Sequence, residues 1–437
     1  MQSTRIKEEQ RSLTREQRQA VGLLSIGTFL EYFDLMLYVH MALLLNELFF
    51  PKTDPHTASL LAALAFCSTF VLRPIGALVF GYIGDHIGRR ITVIITTMMM
   101  ALSCFIMANL PTYAQIGVSA TWIVTICRML QGMSSMGELI GAQVYLTEIS
   151  KPPIQYPAVT SIVTFAAFGT AAALAVASLV TSFGFNWRLA FWIGSGIALV
   201  GIAARTSLRE TPDFADAKRQ LEQTFDDAKI DKSKLRNNPV WNEKVKKKTS
   251  LAYFLIECMW PVTFYFVYLH CSNVLKHSFG YTAEQVIHHN FVISIVHLLS
   301  YIVITYLSYK IYPLIITKFR LLIFWLFILF CPYLLSNASS AFDVMLIQVF
   351  FIIFRPDAFP AIPIYIKHFP IFKRFPYISW LFAISRALMH VVTSFGLVYL
   401  VEYFGNYGLL ILIIPVSIGF AFGILHFEKL EKEAGNY

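Results

Sequence analysis

Apolar residues run along this chain in long blocks separated by short polar stretches, and a block of about 20 mostly apolar residues is what a helix needs to cross a bilayer. Twelve blocks can be marked, near 20–45, 58–83, 91–110, 117–149, 157–183, 189–206, 250–275, 286–309, 311–335, 340–366, 375–402 and 407–427. Pro332 and the run from Pro356 to Pro363 interrupt the ninth and tenth. The longest polar segment, 207–249, divides the blocks six and six, which fits two parallel halves around a midplane site. No residue-level repeat relates the halves, so the repeat rests on the count of blocks. The expected fold is an all-α membrane protein, a bundle of twelve transmembrane helices in two six-helix halves. Its parts are a tail 1–19, a bundle 20–206, a linker 207–249, a second bundle 250–427 and a tail 428–437.

Composition supports this pattern. Of 437 residues, 57% are hydrophobic and 14% charged, where a soluble chain carries about 25% charge. Mean hydropathy is +0.61. The 38 Phe, 21 Tyr and 7 Trp suit lipid contact and interfacial belts. The net charge of +9 does not point to nucleic acid, because the basic residues gather in loops and not on an amphipathic face. Their placement orients the chain. With the N-terminus in the cytoplasm, 28 of the 35 Lys and Arg fall in cytoplasmic segments and only Lys52, Arg188 and Lys276 outside. The positive-inside rule then puts both termini in the cytoplasm. The first 18 residues lack the apolar core of a cleavable signal, so the first block is expected to act as an uncleaved insertion signal. Cys67, Cys104, Cys127, Cys258, Cys271 and Cys331 all lie in apolar stretches without metal-ligand spacing and read as free buried thiols.

Charged residues within the blocks are expensive and are therefore the functional candidates. In the first block Gly27, Glu31, Asp34 and Tyr38 share one helical face. Two nearby carboxylates repel, which favours proton uptake by one of them. In the fourth, Arg128, Gln131, Ser135 and Glu138 form a second stripe. Arg128 and Glu138 stand about 15 Å apart along the axis and need partners elsewhere, Glu31 or Asp34 for Arg128, in a stripe expected to line a cavity. Arg73 is expected to snorkel in a structural role. The second half offers Glu257, Arg355, Asp357, Arg386 and His390. Arg386 and His390 are four apart and share a face, whereas Arg355 and Asp357, two apart, would not. His270 and His297 read as hydrogen-bonded packing residues. The small residues Ala166, Ala167, Gly169, Ala171, Ala172, Ala173, Ala175 and Ala177 mark the fifth block for close packing. Nucleotide, zinc-protease and hydrolase motifs are absent, so neither an enzyme nor ATP-driven transport is expected.

Six stretches carry a resemblance. RPIGALVFGYIGDHIGRR at 73–90 resembles the loop 2–3 signature of the major facilitator superfamily, matching it at Gly81, Asp85, Gly88, Arg89 and Arg90, with His86 in place of Arg. GTFLEYFDLMLY at 27–38, RMLQGMSSMGELIGAQVYLTE at 128–148, NWRLAFWIG at 186–194 and RETPDF at 209–214 resemble segments of its metabolite:proton symporter family. In the second half HFPIFKRFPY at 368–377 keeps Phe369, Pro370 and Arg374 of a family loop. By contrast YLSYKIYPLIITKFR at 306–320 carries Tyr309 and Lys310 in place of Asp and Arg. The ten residues after 427 hold no heptad repeat, so osmotic gating through a coiled-coil tail is not expected.

The resemblance implies a proton-coupled symporter of the bacterial inner membrane. Its substrate would be a small polar metabolite, a proline/betaine-like zwitterion, with protons and membrane lipid as its other partners and no cofactor, metal or nucleic acid; a monomer is expected. Arg128, Gln131, Ser135, Tyr38 and Arg386 would bind substrate, and Asp34, Glu31 or Glu138 would carry the proton. Gly81, Asp85, Gly88, Arg89 and Arg90 would form the gating loop. An organic-acid:proton symporter, a uniporter and a metabolite sensor without turnover are the competing readings.

Overall fold

The computed structural model describes residues 9–86, 89–135, 138–182, 186–207 and 244–437, and among these every named element is helical. The first part of the chain holds α1 (Arg15–Phe49), α2 (Pro55–Val71), α3 (Arg73–His86), α4 (Arg89–Asn109), α5 (Tyr113–Ile116), α6 (Val118–Ser134), α7 (Glu138–Ile149), α8 (Gln155–Ser182) and α9 (Arg188–Ser207). The second part holds α10 (Lys247–Glu257), α11 (Met259–Tyr265), a π-helical turn (Phe266–His270), α12 (Cys271–Phe279), α13 (Ala283–Lys310), α14 (Pro313–Ile328), α15 (Cys331–Ser336), α16 (Ala341–Phe354), α17 (Ile362–Lys367), α18 (Ile371–Phe404) and α19 (Gly408–Glu433). Residues 208–243, most of the expected linker, lie outside the described residues.

Helix ends follow local chemistry. Thr14 with Gln17 and Thr282 with Gln285 form reciprocal caps at α1 and α13, satisfying backbone N–H groups that lack helical acceptors. Pro74 has no N–H for the carbonyl of Phe70, and α2 gives way to α3 at Leu72. Pro356, Pro360 and Pro363 likewise accompany the non-helical stretch 355–361.

Among the described residues six helical stretches are long and apolar enough to cross a membrane: Arg15–Phe49, His56–Phe80, Gln155–Ser182, Lys247–Phe279, Ala283–Lys310 and Lys373–Glu433. The last, 61 residues, contains α18 and α19 and suffices for two crossings of about 20 residues. Shorter apolar helices among the described residues are Ile94–Asn109, Arg188–Leu199 and Ala341–Phe354, the last ended by the non-helical stretch 355–361. The exterior is apolar: Leu102, Trp122, Leu299, Tyr306, Leu326 and Leu425 are exposed. Arg128, Arg355, Glu257 and Gln348 are buried. This inversion suits a chain surrounded by lipid.

The two parts meet along two seams, α8 against α13 and α2 against α18. Close approach relies on glycine. A Cβ on Gly169 of α8 would lie 2.4 Å from the carbonyl oxygen of Phe29 in α1, and one on Gly132 of α6 would lie 1.6 Å from that of Thr69 in α2. The small-residue face expected of the fifth block is thus used for packing on α1. All six cysteines are free and buried.

Both termini lie at one end. Gln10 bonds backbone-to-backbone with Pro152, Tyr309 donates to the Arg11 carbonyl, and Tyr312 donates to Glu431. Glu431 lies beyond the last expected crossing. It is fully buried and accepts from Tyr312 (2.5 Å), Lys367 (2.8 Å) and His368 (2.6 Å). Burial alone would raise its carboxyl, but His368, Lys367 and Tyr312 outweigh burial and hold it down at about 2.

Three substitutions test this packing. Gly132→Ala drives a methyl into a backbone carbonyl and should cost about 1–3 kcal/mol or more, read as a lowered melting temperature in detergent. Gly22→Ala, with no atom within 4 Å, should stay within about 0.5 kcal/mol of the wild type or gain slightly. A carboxyl held at about 2 against an ordinary 4.5 contributes about 3 kcal/mol. Because the folded value is depressed, this contribution is complete above about pH 4.5 and is lost as pH falls toward 2. Glu431→Gln should therefore lower the melting temperature at pH 7, and the gap to the wild type should shrink by pH 3.

Candidate functional site

Between the two seams lies a cavity of about 60 Å³, room for about two waters. The first part of the chain contributes Tyr32 and Met36 from α1, Leu139 and Gln143 from α7, and Thr170 with small residues from α8. The second part contributes Glu257, Trp260 and Phe264, then His297 and Tyr301, Asp357 and Phe359, and Phe382 and Arg386. Charge is confined to the second part's wall.

Two buried ionic groupings make up that wall. In the first, Arg386 of α18 reaches α10, where Nη1 donates to the Glu257 carbonyl at 2.6 Å and Nη2 to the Glu257 carboxylate at 3.1 Å. Its guanidinium sits between Trp260 and Phe382, 4.5 Å from each ring centroid, a cation–π setting. The backbone contact has a local cause. In an unbroken helix the carbonyl of Glu257 would accept from residue 261, which is proline and has no N–H. The carbonyl is left over where α10 ends, and Arg386 fills it.

In the second grouping, Arg355 donates to His297 Nε2 at 2.9 Å and to the Tyr301 hydroxyl at 2.8 Å, while Tyr301 donates to Asp357 at 2.7 Å. Arg355 and Asp357 are 3.6 Å apart. The expectation that these two would not face each other is corrected here. It assumed a continuous helix, and α16 ends at Phe354, which leaves both residues in the non-helical stretch. Arginine only donates, so His297 Nε2 accepts and its Nδ1–H points at Tyr268, 3.2 Å away. The hydrogen-bonded packing expected of His297 is thus present, but on the cavity wall. His270 has no hydrogen-bond partner for Nε2 among the described residues and lines the outer cavity.

The stripe expected on the fourth block is placed elsewhere. Arg128 is fully buried, its Nε donates to the Ala65 carbonyl at 2.8 Å, and its guanidinium lies 3.3 Å from the centre of the Tyr38 ring. Its described partners are thus a backbone carbonyl and an aromatic ring. Gln131 faces Cys104 and Ser135 bonds to Gly132, so these residues sit among α2, α4 and α6 and do not line the cavity. Asp34 Oδ1 lies 3.5 Å from where a Gly194 Cβ would be, so it points toward α9. Glu31 is buried within electrostatic reach of Arg73. Arg73 is itself buried beside Phe70 and does not snorkel to the surface. Of Glu138, Gly81, Asp85, Arg89 and Arg90 the side chains lie outside what is described, and Gly88 lies outside the described residues altogether. His390 and Arg386 share α18, but His390 stacks on Phe70 of α2 at 3.6 Å, across the seam.

Ion pairs join the two parts on either side of the cavity. At the termini end Arg374 pairs with Glu148 at 2.8 Å while bonding the Lys367 and Phe369 carbonyls. At the other end His56 pairs with Glu402 at 3.0 Å, and Lys276 pairs with Glu47. There a larger cavity of about 750 Å³ is lined by His56, His270, His277, Glu402 and Tyr265. Tyr265, Phe66, Phe70 and His390 form an aromatic layer between it and Trp260. Sequence reasoning missed Tyr32, Gln143, Tyr268, Trp260 and Tyr301. Aromatic and amide residues in apolar blocks carry no signal until packing shows which face the cavity.

Comparison with known proteins agrees with this architecture. Residues 24–370 match the family model of the Major Facilitator Superfamily. The chain is 29% identical over 276 residues to the proline/betaine transporter of Salmonella typhimurium, covering 61% of this chain and 55% of that one. It is 29% identical over 280 residues to the glycine betaine/proline/ectoine/pipecolic acid transporter OusA of Dickeya dadantii, covering 61% and 54%. With the inner membrane metabolite transport protein YhjE of Escherichia coli it shares 34% over 208 residues, 45% of this chain and 47% of that one. The chain thus spans about half the length of the curated relatives it matches. Among solved structures, the proton:xylose symporter XylE superposes with a TM-score of 0.74 at 14% identity, covering 94% of this chain and 95% of the other. The human organic anion transporter MFSD10 gives 0.67 at 14%, covering 95% and 100%. These likenesses show a shared fold, and with the family match extending over more than half its length, the chain belongs to the major facilitator superfamily.

Proposed function

We propose that this chain is a membrane carrier, not an enzyme, which moves a small zwitterion of the proline/betaine kind together with a proton by alternating access. The observation that carries this reading is the small cavity between the two parts, in which each carboxylate on the wall is paired with an arginine. Glu257 faces Arg386 and Asp357 faces Arg355. A net-neutral solute adds no net charge to such a site, whereas a multiply negative acid would meet two fixed carboxylates. The names of the relatives support the same solute class. In this proposal the chain crosses a bacterial inner membrane twelve times in two six-helix halves, 20–206 and 250–427, with both termini in the cytoplasm.

Among the residues expected to bind substrate, Arg386 lies on the cavity wall and is the proposed partner of the substrate carboxylate through charge-assisted hydrogen bonds. Arg128 and Tyr38 form a joint between α1, α2 and α6, and Gln131 and Ser135 extend it. Glu31 and Asp34 remain proposed sites of protonation on α1, and the 81–90 loop a proposed gate. Alternation exchanges the Arg374–Glu148 closure for those at His56–Glu402 and Lys276–Glu47. Proton and substrate bias that exchange only to the extent that they bind one state better than the other.

Uptake into proteoliposomes checks the reading. An inward proton gradient should drive accumulation of proline or glycine betaine above equilibrium, and collapsing the gradient should release it. Equilibration indifferent to pH would make the chain a uniporter. Thermal stabilisation by a solute without flux would make it a sensor, and preference for di- or tricarboxylates would make it an organic-acid carrier.

A further inference from the structure

The contact between Arg386 and Glu257 has two parts that respond differently to a proton. Nη1 is bound to the Glu257 carbonyl, which Pro261 leaves without its helical donor, and a carbonyl does not titrate. Nη2 is bound to the Glu257 carboxylate, which does. We propose that Glu257 carries the coupling proton, and that its carboxylate and the carboxylate of the substrate take turns on Arg386 Nη2. This rests on the transport reading above and names the residue through which proton and substrate meet.

A proton arriving from the medium adds to the Glu257 carboxylate and removes its negative charge. The Nη2 bond loses its ion-pair attraction and becomes a bond from a cation to a neutral acceptor, which is weaker. Arg386 does not swing away, because Nη1 stays on the carbonyl and Trp260 and Phe382 still flank the guanidinium. A cation is then held in place on the cavity wall with an N–H group open to a carboxylate oxygen. When the substrate leaves, Arg386 is again unpaired in a low-dielectric site, which favours loss of the proton from Glu257 and return of the internal pair. Proton and substrate therefore bind with positive coupling, and by reciprocity each raises affinity for the other equally.

Position supports the assignment. Glu257 lies a third of the way along the 33-residue stretch Lys247–Phe279, and Arg386 near the middle of α18. Both line the cavity that Tyr32, Gln143 and Thr170 close from the other side. The other ionisable groups around Glu257 are Tyr253, one turn earlier on α10, Asp357 of the non-helical stretch, Tyr365 of α17, Tyr32 of α1 and Cys258 next in sequence. Arg386 is the cation among them. Asp357 has its own cation in Arg355 and its own donor in Tyr301, which leaves Glu257 as the carboxylate in hydrogen-bond contact with Arg386.

The test uses the full chain in proteoliposomes with radiolabelled proline and glycine betaine as probes. Glu257→Gln keeps an acceptor for Nη2 but mimics the protonated carboxyl. It should lower accumulation driven by an inward proton gradient at least about tenfold. Substrate affinity in solute exchange should become independent of pH between 5 and 8, where the wild type binds more tightly as pH falls. Accumulation by Glu257→Gln equal to the wild type overturns the inference while leaving symport intact, and returns the proton to Glu31 or Asp34. A wild type that moves neither probe overturns the transport reading and this inference with it. Should Glu257→Gln not reach the vesicles folded, Glu257→Asp decides. The shortened carboxylate should keep accumulation but move the midpoint of its pH profile, and an unmoved midpoint overturns the assignment.

Discussion

A charged group removed from water costs several kcal/mol unless the fold supplies its partners, and this constraint organises the whole bundle. Arg386 shows how it is met. Proline at 261 prevents α10 from continuing as a regular helix, the break exposes one carbonyl, and a guanidinium from α18 takes that carbonyl together with the carboxylate of the same residue. Two rings, Trp260 and Phe382, enclose the cation. Arg355 meets the same demand where α16 stops at Phe354, with His297, Tyr301 and Asp357 around it. In both places a helix break supplies part of the polar environment, in keeping with the rule that irregular backbone at membrane depth belongs beside a cavity.

The rest of the architecture places these charges between movable surfaces. Glycines 132 and 169 let helices approach to backbone contact within the first part, so that part can shift as a block. The seams between parts are instead made of side chains that can separate: Thr164 against Thr305, Ser178 against His288, and the ring of His390 on Phe70. Ion pairs at the two ends, Arg374 with Glu148 and His56 with Glu402, are partly exposed. Exposed pairs contribute little individually, which suits the exchange of closures in the proposed cycle. Packing is thus rigid within a part and breakable between parts, the condition for alternating access around a fixed site.

Much of this was legible in the sequence, for identifiable reasons. Helix breaks at Pro332 and Pro356–Pro363 followed from proline's missing N–H. The close-packing face of α8 followed from its alanines and Gly169, and the importance of Arg386 and Glu257 from the expense of intramembrane charge. Other features were not legible because they depend on which helix lies opposite. Arg128 and Asp34 satisfy the same charge rule, yet one lies under Tyr38 and the other points toward α9. Helical periodicity gives the face a residue occupies but not what that face meets. The spacing rule that separated Arg355 from Asp357 failed because it holds only inside a helix, and the chain leaves helical geometry between them.

In the proposed mechanism a neutral zwitterion travels with one proton, admitted through Glu257 and Arg386. Each transport cycle should then carry one positive charge. Current recorded from proteoliposomes on a solid-supported membrane tests this most directly. On adding proline or glycine betaine at equal pH on both sides, the account predicts a substrate-dependent inward positive current that scales with solute flux at one charge per molecule. Solute flux without any accompanying current would contradict it.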